Sequence, residues 1–193
     1  MGNLSESAFV ATPKQLVAAV SEQTGVAGGT VILHDRNLMN AGLRSAGQRG
    51  RGKSVVTFED AANLLIAVAG SRTVKDSAAV VRDFSGLLAD APLISGDGGE
   101  GTRGTSFGDA LAALLEALPA NRQAYDNPEN SYVEVRLYGP RPSAAIEWKY
   151  RDRIIKVEYR SRSEGAAHPF NDLEFISKFT QVTIGHVGEL VSS

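Results

Sequence analysis

Residues 12–57 read TPKQLVAAVSEQTGVAGGTVILHDRNLMNAGLRSAGQRGRGKSVVT, and the organisation of the chain turns on them. Thr12 can cap a helix, Pro13 suits its first position, and Gln15 stands where the partner of a capping box belongs. Leu16, Val17 and Val20 then recur at helical spacing until Gly25 stops the run. After the tight segment Val26-Ala27-Gly28-Gly29, a second helix is expected from Thr30 to about Ala41, with Gly42 as its stop. Two helices of about a dozen residues joined by a short glycine-bearing turn have the form of a helix-turn-helix. A polar, glycine-rich hairpin is expected next, over Ser45–Ser54, running into the β-prone Val55-Val56-Thr57-Phe58.

In a helix-turn-helix the second helix enters the major groove of duplex DNA. With Val31, Leu38 and Leu43 packed inward, Thr30, Arg36, Asn37 and Asn40 lean outward and His34 sits near the boundary. Arginine can donate two hydrogen bonds to guanine, and asparagine can pair with adenine. Gly28 and Gly29 would let the backbone come close to phosphates. From Arg44 to Lys53 there are four cations and no acid, so Arg44, Gln48, Arg49, Arg51 and Lys53 form a candidate phosphate-facing wing. The candidate DNA-contacting set is therefore Gly29, Thr30, His34, Arg36, Asn37, Asn40, Arg44, Gln48, Arg49, Arg51 and Lys53. GVAGGTV, the Leu38-x4-Leu43 spacing and the Arg/Gly hairpin ending in VVTFEDA resemble the core of winged helix-turn-helix regulators. The stretch departs from that pattern in carrying Asp35 where an apolar residue is usual.

Beyond the hairpin, Thr57 with Asp60 opens a helix bearing Leu64, Leu65 and Val68. Thr73 with Asp76 opens another, with Val74, Ala78, Val81, Phe84 and Leu88 on one stripe. Residues 89–106 lose all periodicity and are glycine-rich, as in a linker or a long mobile loop. Ser106–Leu118 is amphipathic through Leu111, Leu114, Leu115 and Leu118. From Tyr132 the period becomes two, predicting three antiparallel strands through Val133–Leu137, Ile146–Tyr150 and Ile155–Tyr159. Phe175–Val182 fits a fourth strand, with a helix over Asn171–Phe179 as the alternative, before a terminal helix bearing Ile184, Val187 and Leu190.

The expected fold is α+β: a winged helix-turn-helix domain over 1–88, a linker over 89–106, and an α+β oligomerisation or partner-binding domain with a small antiparallel sheet over 107–193. This layout resembles DNA-recognition proteins of tailed phages and prophages, small terminase subunits among them. That resemblance implies a homo-oligomer and a large terminase or other protein as partner.

The absence of cysteine excludes disulfides and thiolate chemistry. The N-terminal residues do not form a secretory signal, and no apolar run approaches the roughly 20 residues of a membrane helix. A cytoplasmic location is expected, in the host cytoplasm if the chain is phage-encoded, with no membrane partner. Gly47–Ser54 matches the phosphate-binding P-loop pattern by letter, but lacks the strand before it and the helix at its lysine. His34, His168 and His186 lie too far apart in sequence to suggest a metal site, and Asp97 and Glu100 lack calcium-loop spacing. No catalytic constellation stands out, so neither enzymatic activity nor a cofactor is expected. Trp148, Tyr150 and Tyr159 near Arg151, Arg153 and Arg160 are better explained by a sheet with a charged outer face than by stacking on single strands. The expected function is recognition of double-stranded DNA, as a subunit of a phage-type packaging assembly. The alternatives are a transcription regulator and a non-enzymatic interaction module.

Overall fold

The fold is known from a computed structural model, which describes residues 11–45, 55–90, 106–121, 131–150, 153–161 and 173–193. It is α+β, with six α-helices and a five-stranded antiparallel sheet among these residues. None of the described helices is long and apolar enough to cross a membrane.

Helix α1 (Pro13–Thr24) starts in a complete capping box: Thr12 Oγ1 accepts from the Gln15 backbone, and Gln15 Oε1 accepts from the Thr12 backbone at 2.9 Å. It ends at Gly25, whose φ of 71° is the left-handed conformation glycine adopts without a steric penalty. Helix α2 (Gly28–Asn40) follows after two further residues, beginning two residues earlier than the sequence suggests. Thr57 and Asp60 form a second capping box at the start of α3 (Phe58–Gly70). Val55–Thr57, expected to be β, form no strand; the Val56 N–H instead donates to Ala11 O at 3.2 Å.

The helix expected after Thr73 is shorter than its apolar stripe. Val74–Asp76 make one 3-10 turn, α4 spans Ser77–Ser85, and Gly86 ends it. Leu88 therefore leaves the helical stripe for a two-residue strand, β1 (Leu88–Ala89), which pairs with Arg160 and Tyr159 far downstream. Ser106 caps α5 (Phe107–Ala117), and Asp109 N–H donates to its hydroxyl at 3.2 Å.

The meander is present as β2 (Ser131–Gly139), β3 (Ser143–Tyr150) and β4 (Arg153–Arg160). Val135 stands opposite Ile146, and Ile146 opposite Val157. A fourth segment, β5 (Phe175–Thr180), settles the Phe175–Val182 alternative in favour of a strand. It lies against β2, with Phe179 opposite Val135, and runs directly into α6 (Gln181–Ser192). The sheet order is β1-β4-β3-β2-β5.

Alternation puts Val133, Val135, Leu137, Ile146, Tyr159 and Phe179 on one face, all buried. The helices cover that face, α3 and α6 touching β2 directly. One apolar core runs from Leu16 and Val20 of α1, through Leu64 and Leu65 of α3 and Leu111 and Leu115 of α5, to Val187 of α6. Contacts between α1 and α6 and between α3 and α5 join the N-terminal helices to the later elements. The Phe107 and Tyr159 rings, 5.4 Å apart and tilted by 60°, connect the helical layer to the sheet.

Candidate nucleic-acid interface

Helix α2 has a sharp division between its two sides. Val31, His34 and Leu38 are buried, whereas Gly29, Ile32, Leu33, Arg36, Met39 and Asn40 are exposed. The exposed set recurs at spacings of three and four, so it forms one stripe opposite the buried one. Arg36 and Asn40 thus lie on the outside, as their helical phase predicts, and Gly29 opens the same stripe. Thr30 is half-buried at its side.

Three other candidate contacts are placed differently. His34 is only 4% exposed, and its Nδ1 lies 2.8 Å from Ser77 Oγ. The Ser77 hydroxyl donates to Val74 O, so its oxygen accepts from Nδ1–H, which sets the histidine tautomer. Burial pushes the imidazole below its ordinary pKa, and the ring serves packing against α4 rather than a ligand on the outer stripe. Asn37 is half-buried, and its amide donates to Val74 O at 2.8 Å, binding α2 to the 3-10 turn. One of its two amide hydrogens is therefore committed within the fold. The Arg44 side chain is 8% exposed, with Nε 2.7 Å from Asp35 Oδ1, an ion pair without hydrogen-bond alignment. Asp35, the residue out of place in an apolar pattern, is thereby matched by charge. Burial raises its pKa, Arg44 opposes that rise, and the Asp60 charge adds to it. Arg44 consequently anchors the end of α2 instead of standing free for phosphate.

Gln48, Arg49, Arg51 and Lys53 lie outside the described residues, but both flanks of their segment are described. Asp60, 3% exposed, accepts from Ser45 N–H at 2.7 Å through one oxygen and from Thr57 N–H at 3.0 Å through the other. Asn63, also buried, donates to Leu43 O at 2.9 Å. One carboxylate therefore holds the chain where it enters and where it leaves residues 46–54, just past the C-terminal end of α2. The sequence gives Asp60 a capping role only. Its second bond depends on Ser45, which no local pattern predicts.

The start of α2 lacks a side-chain cap, since its N-cap is Ala27, and its first turn carries no acid. Such a start leaves N–H groups and the positive end of the helix dipole open to an anion. Nothing lies within 4 Å of a Cβ built on Gly29. At the other end, Arg82 of α4 donates to Ala41 O at 3.3 Å, and Lys75 is exposed on the 3-10 turn that Asn37 grips. Sequence reasoning passed over these two cations, along with the outward phase of Ile32, Leu33 and Met39.

No family model, curated protein or solved structure matches this chain. The outer face of the sheet differs from α2 in its electrostatics. Arg136 contacts both Glu134 and Glu147, Lys178 reaches Glu134 at 3.1 Å, and Arg160 reaches Asp90 at 3.0 Å and Glu158 at 2.5 Å. Hydrogen bonds from Lys156 and then Arg160 hold Glu158 below the usual carboxylate range. These cations are neutralised in place. Tyr159 is fully buried on the opposite face, which removes it from any stacking surface.

Proposed function

We propose that the chain binds double-stranded DNA, with the outer stripe of α2 in the major groove and the basic 46–54 segment on the flanking phosphates. The observation that carries this reading is the pairing of two features. An uncovered stripe bears Arg36 and Asn40, and the segment containing Arg49, Arg51 and Lys53 is tied at both ends, by Asp60, next to the end of the same helix. The short turn through Gly25 joins α1 to α2 in the manner of a helix-turn-helix, and the uncapped start of α2 suits a phosphate. On the sheet, Arg136, Lys156, Arg160 and Lys178 are already paired to acids. We further propose that the chain serves as a DNA-recognition subunit of a larger assembly of the phage-packaging kind. The order of the elements along the chain, helices first and the strands of the sheet mostly after them, supports that placement.

Fluorescence anisotropy on a labelled 30-base-pair duplex tests the binding. Replacing Arg49, Arg51 and Lys53 together by Gln should weaken binding at least tenfold near 0.1 M salt. It should also flatten the log–log salt slope by up to about 2.7, at about 0.9 per phosphate contact. Arg36→Ala should cost roughly 1–3 kcal/mol on a preferred sequence and less on a random one. Unchanged affinity in both variants would support an interaction module instead. Light scattering separates the two DNA-binding roles: an oligomer larger than a dimer favours the assembly, and a two-fold dimer favours a regulator.

A further inference from the structure

We infer that Ile32, Leu33 and Met39 recognise the 5-methyl groups of thymines, so that the duplex sites this chain prefers carry thymine under α2. This rests on the duplex-binding reading above and adds to it the chemical class of base that the helix selects.

Helix α2 holds more apolar surface than its packing uses. Val31 and Leu38 fill its inner side at 0% exposure, yet Ile32, Leu33 and Met39 remain 48%, 45% and 43% exposed on the outer side. Phosphates and sugars reward cations and hydrogen-bond donors, not alkyl groups. In the major groove the apolar feature of a base pair is the thymine methyl, and side-chain carbon packed on it is a recognised mode of readout. The apolar side chains alternate along the stripe with Arg36 and Asn40, whose donors suit guanine and adenine edges. The surroundings favour a polyanion over an apolar protein partner. Arg36 stands in the middle of the stripe, the first turn of α2 has no acid, and Asp35 at its side is paired with Arg44, so the stripe carries a cation and no free acid.

The experiment uses the full chain. Preferred duplexes are selected from a random pool, then remade with deoxyuridine in place of each thymidine, which removes only the methyl groups. Binding is measured by anisotropy for the wild type, for the triple variant Ile32→Ala, Leu33→Ala, Met39→Ala, and for Arg36→Ala. The three apolar positions are exposed and alanine is the strongest helix former, so the triple variant should keep its helical circular dichroism. The inference predicts that the wild type loses about fourfold in affinity for each contacted methyl removed, the equivalent of about one buried methylene. The triple variant should bind both duplexes alike, while Arg36→Ala weakens both and keeps the ratio. Equal wild-type affinity for the two duplexes would overturn the inference and leave duplex binding intact. The same ratio persisting in the triple variant would also overturn it, by placing methyl recognition elsewhere. No binding to either duplex, or a pool that yields no preferred sequence, would remove it; the first of these would remove the duplex-binding reading too. Self-association that the triple variant abolishes, without duplex binding, would assign the stripe to a second copy of the chain and sink the inference.

Discussion

Replacing Asp60 by Ala should loosen the fold and the candidate interface together, because a single carboxylate serves both. In the wild type its oxygens accept from Ser45 N–H at 2.7 Å and Thr57 N–H at 3.0 Å, and its backbone N–H completes the cap of α3 at 3.1 Å. A hydrogen bond to a charged group contributes about 1.5–3 kcal/mol, and the one from Thr57 is also the side-chain half of the capping box, so it counts once. Ser45 and Thr57 are exposed, so water can replace part of what their N–H groups lose, which places each bond at the low end of that range. The contributions share one side chain and do not add fully. We therefore expect a loss of about 3 kcal/mol for Asp60→Ala, and about half that for Asp60→Asn, which keeps one neutral acceptor. Urea denaturation measures it: with slopes of roughly 1–3 kcal/mol/M, the midpoint should fall by about 1–3 M at unchanged slope. Below the new midpoint the folded variant should also bind duplex less tightly, because the entry to residues 46–54 is no longer held. A stability change under about 0.5 kcal/mol, well short of a charged hydrogen bond, would refute the assignment of Asp60 as the brace.

Two further outcomes follow from packing and from burial. A Cβ on Gly188 would land on the Leu115 carbonyl and within 3.0 Å of Pro119 Cγ, so Gly188→Ala should cost at least about 1–3 kcal/mol by overpacking. Gly185→Ala, with nothing within 4 Å, should cost nothing, and comparing the two melting curves checks the pair. His34 titrates below its ordinary value when folded, so its contribution to stability is complete above a pH of about 6.5. That contribution falls away as the pH drops through that value toward the folded one. Urea midpoints at pH 7.5 and 5.5 should therefore differ more for the wild type than for His34→Gln; an equal difference would mean that the folded state does not lower the imidazole.

Much of the helical framework was legible because its signals are local. Thr12 with Gln15, Thr57 with Asp60, and Gly25 each act within four residues, and the structure uses all of them. The meander was equally readable, since Val133, Val135 and Leu137 alternate with polar neighbours. The sequence was silent where a partner lies far along the chain. Strand β1 exists only because Leu88 and Ala89 meet Arg160 and Tyr159. Phe175, Ile176 and Phe179 satisfy either period, and only Val135 and Tyr138 of β2, opposite Phe179 and Ile176, decide for a strand. The same holds in the candidate interface. Helical phase alone sent Arg36 and Asn40 outward. The inward commitment of His34 depends on Ser77, that of Asn37 on Val74, and that of Arg44 on Asp35, none of them within one turn of helix.

Hydroxyl-radical footprinting of the protein, with and without a saturating 30-base-pair duplex, tests most directly whether α2 faces DNA. Met39, Leu33 and Ile32 carry reactive, exposed side chains, as do Ile154 and Ile176 on the sheet. DNA seated on α2 should suppress oxidation of the first three and leave the two sheet residues unchanged. Protection confined to Ile154 and Ile176, with Met39 and Leu33 as reactive as in the free protein, would contradict the account.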